Sequence, residues 1–221
     1  MGLSLAAVVV NPPASDSRWT FTGGWMLQTF TTRRDGVPWV WTAADGTVQH
    51  LNKVHKLIVG SRTAPENRWL APLVELLGKC GVDFTPSPNV VQAMWDKVVF
   101  LATLAGSTCL MRASVGDIMH TLAGEAFVRA LFAEGVAIAA ASGQALGEAQ
   151  QAAYLGQLTD PASGLMASML RDVERGGPTE AEHILGDLVA RAQAKGVAAP
   201  NLALAYSHLQ AYDRRRLAAS A

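Results

Sequence analysis

Two cysteines among 221 residues, Cys80 and Cys109, lie far apart with no CxxC pair. That excludes a disulfide framework and a cysteine-rich metal site, and it suits reduced, inert thiols in an oxidant-free compartment. Neither sign of charge is in excess: lysine plus arginine and aspartate plus glutamate each number 18. The basic surplus that drives nonspecific nucleic-acid binding is therefore absent, and no nucleic-acid partner is expected. The five histidines, His50, His55, His120, His183 and His208, fall at no metal-ligand spacing with cysteines or carboxylates, so no metal is expected either. No G-x-G-x-x-G occurs anywhere. The first ten residues are apolar but lack a basic flank and run into Asn11-Pro12-Pro13, which argues against a secretory leader. The most apolar stretch, residues 98–111, is short of a membrane span and reads as core. There is no repeat and no low-complexity tract.

What is present is apolar material, 50% of the chain, enough for a substantial core. Residues 5–10 read as one buried strand. From 19 to 60 the pattern is β-rich, three or four short strands separated by Arg33-Arg34-Asp35-Gly36 and Asp45-Gly46. Trp25, Trp39 and Trp41 stand in these strands without interleaved basic residues, so packing is expected of them rather than base stacking. After a linker at 62–64 the signals are helical. A helix starts at Pro65-Glu66 with apolar Leu70, Leu73, Val74 and Leu77, and a long apolar one begins at Ser87-Pro88. Further helices are expected over 114–122, 125–142, 148–158 and 167–174. Another begins at Pro178 with a Thr179 to Glu182 capping box, and a last one follows Pro200-Asn201 and ends in Arg214-Arg215-Arg216. The expected fold class is α+β, a β-rich part over 1–62 followed by an all-α part over 63–221 of about seven helices.

The long helix, VVQAMWDKVVFLATLAGSTCLM over 90–111, is interrupted by one adjacent charge pair, Asp96 and Lys97. An ammonium removed from water costs several kcal/mol. Lys97 therefore either snorkels or pairs at the surface, or is held in place for use. Downstream, Ser168 and Asp172 are four residues apart and share a helical face, which presents a hydroxyl and a carboxylate together.

The W-D-K at 95–97, followed in order by ASMLRDVERGGPTEAEHILGDLVARAQAKGVAAPN, resembles the C-terminal half of the ketopantoate reductases (2-dehydropantoate 2-reductases). The resemblance covers about half the chain and continues more weakly back to about Gly23. It implies a remnant of a Rossmann-type domain followed by a helical domain like the C-terminal domain of 6-phosphogluconate dehydrogenase. It also implies NADPH as cofactor, a 2-keto acid as substrate, pantothenate and coenzyme A synthesis as setting, a homodimer, and a cytoplasmic location with no membrane partner. By resemblance Lys97 is the proton donor, Ser168 and Asp172 belong to the substrate motif, and Glu180 lies near the nicotinamide ribose. Three positions depart from the family pattern. Leu101 and Ala105 stand where many members carry asparagines that bind the substrate diol, and Ala167 replaces the first serine of S-S-M. Apolar residues at 101 and 105 suit a less hydroxylated keto acid. The family's glycine fingerprint is also missing, which makes a truncated, non-catalytic substrate-binding or dimerisation module the rival expectation.

Overall fold

The structure, a computed structural model, describes residues 5–9, 40–42, 48–50, 56–61, 70–79 and 84–219. The fold is α+β and its contacts divide the chain into two units, Met1–Met94 and Trp95–Ala221.

In the first unit β1 (Leu5–Val9), β4 (Lys56–Gly60) and β5 (Phe84–Pro86) form a parallel sheet in the order β1-β4-β5, while β2 (Val40–Thr42) and β3 (Val48–His50) pair antiparallel. Parallel neighbours need a crossover, and α1 (Leu70–Lys79) lies in sequence between β4 and β5 as a β-α-β unit requires. Leu70, Leu73, Val74 and Leu77 are the half-buried residues of α1, the face read from the sequence. The start of that helix and the strands around Trp25 and Trp39 lie outside the described residues. Gly60 ends β4 where a Cβ would stand 2.5 Å from the Ser87 carbonyl oxygen, so only glycine fits there. Beside it the Ser87 N–H donates to the Val59 carbonyl at 2.7 Å. Strand β5 was not expected, because three residues ending in proline carry no alternation.

The helix α2 (Val90–Met111) enters the second unit at Trp95, and that unit, all-α, is built on it, every residue from 102 to 109 being buried. A helix apolar on all sides belongs inside a bundle. α2 is long and apolar enough by composition to span a membrane, yet 56% of that window is buried within the protein, as in a core helix. Its core hydroxyls are satisfied along the helix itself. Thr103 donates to the Val99 carbonyl at 2.8 Å, Ser107 to Thr103 at 2.7 Å and Thr108 to Leu104 at 2.7 Å.

Around α2 stand α3 (Val115–Met119), α4 (Gly124–Ala141), α5 (Glu148–Leu158), α6 (Ser168–Glu174), α7 (Asp187–Lys195) and α8 (Pro200–Ala219). Close approach is made by small residues. A Cβ on Gly106 would meet Leu131 at 3.1 Å and Ala205 at 3.3 Å, and one on Gly135 would meet Val99 at 3.1 Å. Gly196, φ 66°, stops α7 in the left-handed conformation that its lack of a Cβ permits.

Two local expectations are corrected. The capping box at Thr179 to Glu182 does not form, because the Thr179 hydroxyl donates to Asp213 and the Glu182 carboxylate is taken by Tyr206. A capping box forms instead at Ser114, whose hydroxyl accepts from the Asp117 N–H while the Asp117 side chain takes the Ser114 N–H. The helix expected from Pro178 begins as a π-helical turn, Glu182–Gly186, and becomes regular only in α7.

The first turn of α8 is held from another helix. Glu134 on α4, 9% exposed, accepts from the N–H of Asn201 at 3.0 Å and its Nδ2 at 2.6 Å through one oxygen, and from the N–H of Leu202 at 2.8 Å through the other. These backbone donors have no partner inside their own helix. Glu134→Ala strands them, and we expect a loss of about 3 kcal/mol, with Glu134→Gln losing less; denaturant midpoints on both variants measure it.

Candidate functional site

The three residues opening the buried part of α2 point to three different surroundings, because successive helical residues are turned by about 100°. Trp95 lies under the Arg191 guanidinium, 5.2 Å from its ring centroid, and Arg191 is itself fixed to Asp187 at 2.6 Å. Asp96 acts on Tyr154 of α5, whose hydroxyl burial pushes up first and the Asp96 charge second. Tyr154 in turn stacks against Phe100 with centroids 4.8 Å apart. Lys97, half-buried between these anchors, pairs with no carboxylate among the described residues. Burial alone draws its ammonium down from 10.5 to about 8. By helical periodicity Lys97, Leu101, Leu104 and Thr108 form one stripe of α2.

The second motif meets the far end of that stripe. Ala167, the N-cap of α6, donates its N–H to the Thr108 hydroxyl at 3.4 Å. That contact lies about three turns, roughly 16 Å of helical rise, from Lys97 along α2. Ser168 is exposed in the first turn of α6. Asp172, one turn on, is half-buried, and burial raises its carboxyl above the usual range against the pull of Arg175 and Arg171. Glu180 is exposed over much of its surface, yet its carboxyl is raised too, by burial first and then by Asp172, with His183 opposing. Asp172 and Glu180 thus share one electrostatic neighbourhood. Of the nominated residues the structure places Asp172 and Glu180 in one electrostatic neighbourhood, with Ser168 one turn before Asp172 on α6, and among the described residues no hydrogen bond or ion pair joins Lys97 to any of them.

Cys109 is free and buried, and its thiol is pushed up to about 12, first by burial and then by Asp172. Among the described residues no cluster of three or more His, Cys, Asp or Glu could hold a metal. Sequence reasoning missed Thr108, Glu134, Tyr206, Tyr212 and Asp213. Only Glu134 carried a visible sign, an acid at i+3 from Leu131 and i−4 from Ile138 on a buried stripe.

These observations define the class first: a parallel β-α-β unit leading into an all-helical domain with a desolvated lysine on its central helix. The family model described as ketopantoate reductase PanE/ApbA C terminal matches residues 89–213, and the chain belongs to the ketopantoate reductase family. The chain is 27% identical over 171 residues to the uncharacterized oxidoreductase YkpB of Bacillus subtilis (strain 168), a match covering 77% of this chain and 56% of that protein. Its fold matches 2-dehydropantoate 2-reductase from Methylococcus capsulatus with a TM-score of 0.69 at 29% identity, covering 80% of this chain and 61% of the other. It also matches the dimeric ketopantoate reductase of Staphylococcus aureus with a TM-score of 0.68 at 24% identity, covering 77% and 58%. The chain therefore spans little more than half the length of these relatives.

A lysine whose folded-state value lies below its unfolded one disfavours folding at neutral pH. That burden lifts as pH rises from about 8 toward 10.5, where the folded protein has shed the proton and the unfolded chain still holds it. Lys97→Met should therefore stabilise the chain at pH 7 by on the order of 1 kcal/mol after allowance for the partial exposure. The advantage should shrink above pH 10, as thermal midpoints at the two pH values will test.

Proposed function

We propose that this chain serves the NADPH-dependent reduction of 2-dehydropantoate, or a related 2-keto acid, to the 2-hydroxy acid, in the cytoplasm and on the route to pantothenate and coenzyme A. The observation that carries the reading is the desolvated Lys97 ammonium on an otherwise apolar helix. Reduction of a ketone leaves an alkoxide that needs a proton, and Lys97 Nζ, protonated below about 8, holds one close to neutrality in donating strength. Ser168 would donate its hydroxyl to the substrate, with Asp172 fixing the polar side of the same helical face. Glu180 would accept from ribose hydroxyls, and a partly desolvated carboxylate fits that task. When bound, the nicotinamide supplies the hydride. The amide cradle for the pyrophosphate has no counterpart in this sequence, which contains no G-x-G-x-x-G.

Leu101 and Ala105 favour a substrate with fewer hydroxyls, since neither can accept or donate a hydrogen bond. Self-association as a homodimer is supported by the dimeric relative from Staphylococcus aureus. The missing fingerprint favours one rival, a helical substrate-binding or dimerisation module without turnover. Titration of NADPH by fluorescence, joined to NADPH oxidation with 2-dehydropantoate and with an apolar 2-keto acid, separates the two. Turnover that falls about 100-fold or more in Lys97→Ala, and that declines in the parent chain as pH passes about 8, supports the reductase. Undiminished turnover in the variant ends the assignment of Lys97, and no binding at millimolar NADPH leaves the module.

A further inference from the structure

Residues 178–180 carry no helix or strand, yet they hold the Glu180 backbone between α6 and the π-helical turn. Three side chains of α8 reach this segment. Tyr212 donates its hydroxyl to the Gly177 carbonyl at 2.7 Å, Asp213 Oδ2 accepts from the Thr179 hydroxyl at 2.5 Å, and Tyr206 donates to the Glu182 carboxylate. The second oxygen of Asp213 is held by Arg216 at 3.2 Å, which fixes the acceptor. The Tyr206 ring also lies against the π-helical turn, so closely that a Cβ on Gly186 would stand 2.9 Å from it. The bonds fall on both sides of Glu180, whose carbonyl accepts from the N–H groups of His183 and Ile184 at 3.1 Å each. A segment without its own ladder takes its conformation from whatever satisfies it.

We propose that Tyr206, Tyr212 and Asp213 of α8 are positioning residues that strap segment 177–182 to α8 and so set where the Glu180 carboxylate stands. Its catalytic consequence rests on the cofactor-side role proposed for Glu180; the strap itself does not. Releasing it frees Glu180 from its remaining burial and from Asp172, which weakens both causes that raise its carboxyl.

The test is a carbon-13 NMR titration of glutamate carboxyls in the 221-residue chain, with the Glu180 signal assigned by Glu180→Gln. In Tyr212→Phe combined with Asp213→Ala, which leaves neither the Tyr212 donor nor an acceptor for Thr179, the Glu180 midpoint should fall toward the ordinary 4.5. In Thr179→Ser, which keeps the hydroxyl, it should stay at the parent value. If the double variant does not fold, Tyr206→Phe and Tyr212→Phe, each losing one hydroxyl, decide the question. A Glu180 midpoint unmoved in folded variants lacking these bonds overturns the strap. In the turnover assay the same variants should raise KM for NADPH about tenfold with kcat within about twofold. A parent chain without turnover would remove the cofactor reading, while the titration still judges the strap.

Discussion

A carboxylate with almost no contact with water holds the helical unit in register. Glu134 spends both oxygens on the first turn of α8, where Pro200 has no N–H to offer and Asn201 and Leu202 would otherwise leave theirs buried without acceptors. The favourable end of the helix dipole adds to the bond energy. This fastening orients α8 against α4, with Ala205 and Leu131 both beside Gly106 of α2. The same helix, farther along, carries Tyr206, Tyr212 and Asp213 to the segment that holds Glu180. One buried ion therefore fixes the helix from which a second, more exposed acid takes its place.

Glu134 and Lys97 show the two ways a protein treats a charge removed from water. The former is surrounded by donors, so its desolvation is offset where it occurs. The latter has no carboxylate partner among the described residues, and only its falling affinity for a proton relieves it. Selection for stability alone would favour an apolar residue at position 97. Its neighbours sharpen the contrast, since Trp95 is covered by Arg191 and the Asp96 charge acts on Tyr154.

Local signals in the chain were legible where the physics is local. The helix over 148–158 has the bounds expected of it because Thr159-Asp160-Pro161 closes it, and α6 and α7 end at Gly176 and Gly196, whose positive φ a glycine adopts without strain. The parallel pairing of β1 with β4 was not legible, since those strands are far apart in sequence and a parallel ladder leaves no turn signature. The same blindness explains Glu134 and Tyr212, whose partners lie 67 and 35 residues away. The misplaced capping box has a related cause: Thr179 and Glu182 had the right spacing, but α8 offered Asp213 and Tyr206, and tertiary partners outcompeted the local ones.

The departures at 101 and 105 are not equivalent. Ala105 is 3% exposed and packs within the bundle, so a small apolar residue there serves the core as well as any ligand. Leu101 is half-buried on the stripe of Lys97, one turn away from it, where a side chain still meets whatever lies above the helix. On the proposed reading Leu101, one turn from Lys97 on α2, is then the position of the two that can shape substrate choice, while Ala105 serves the core.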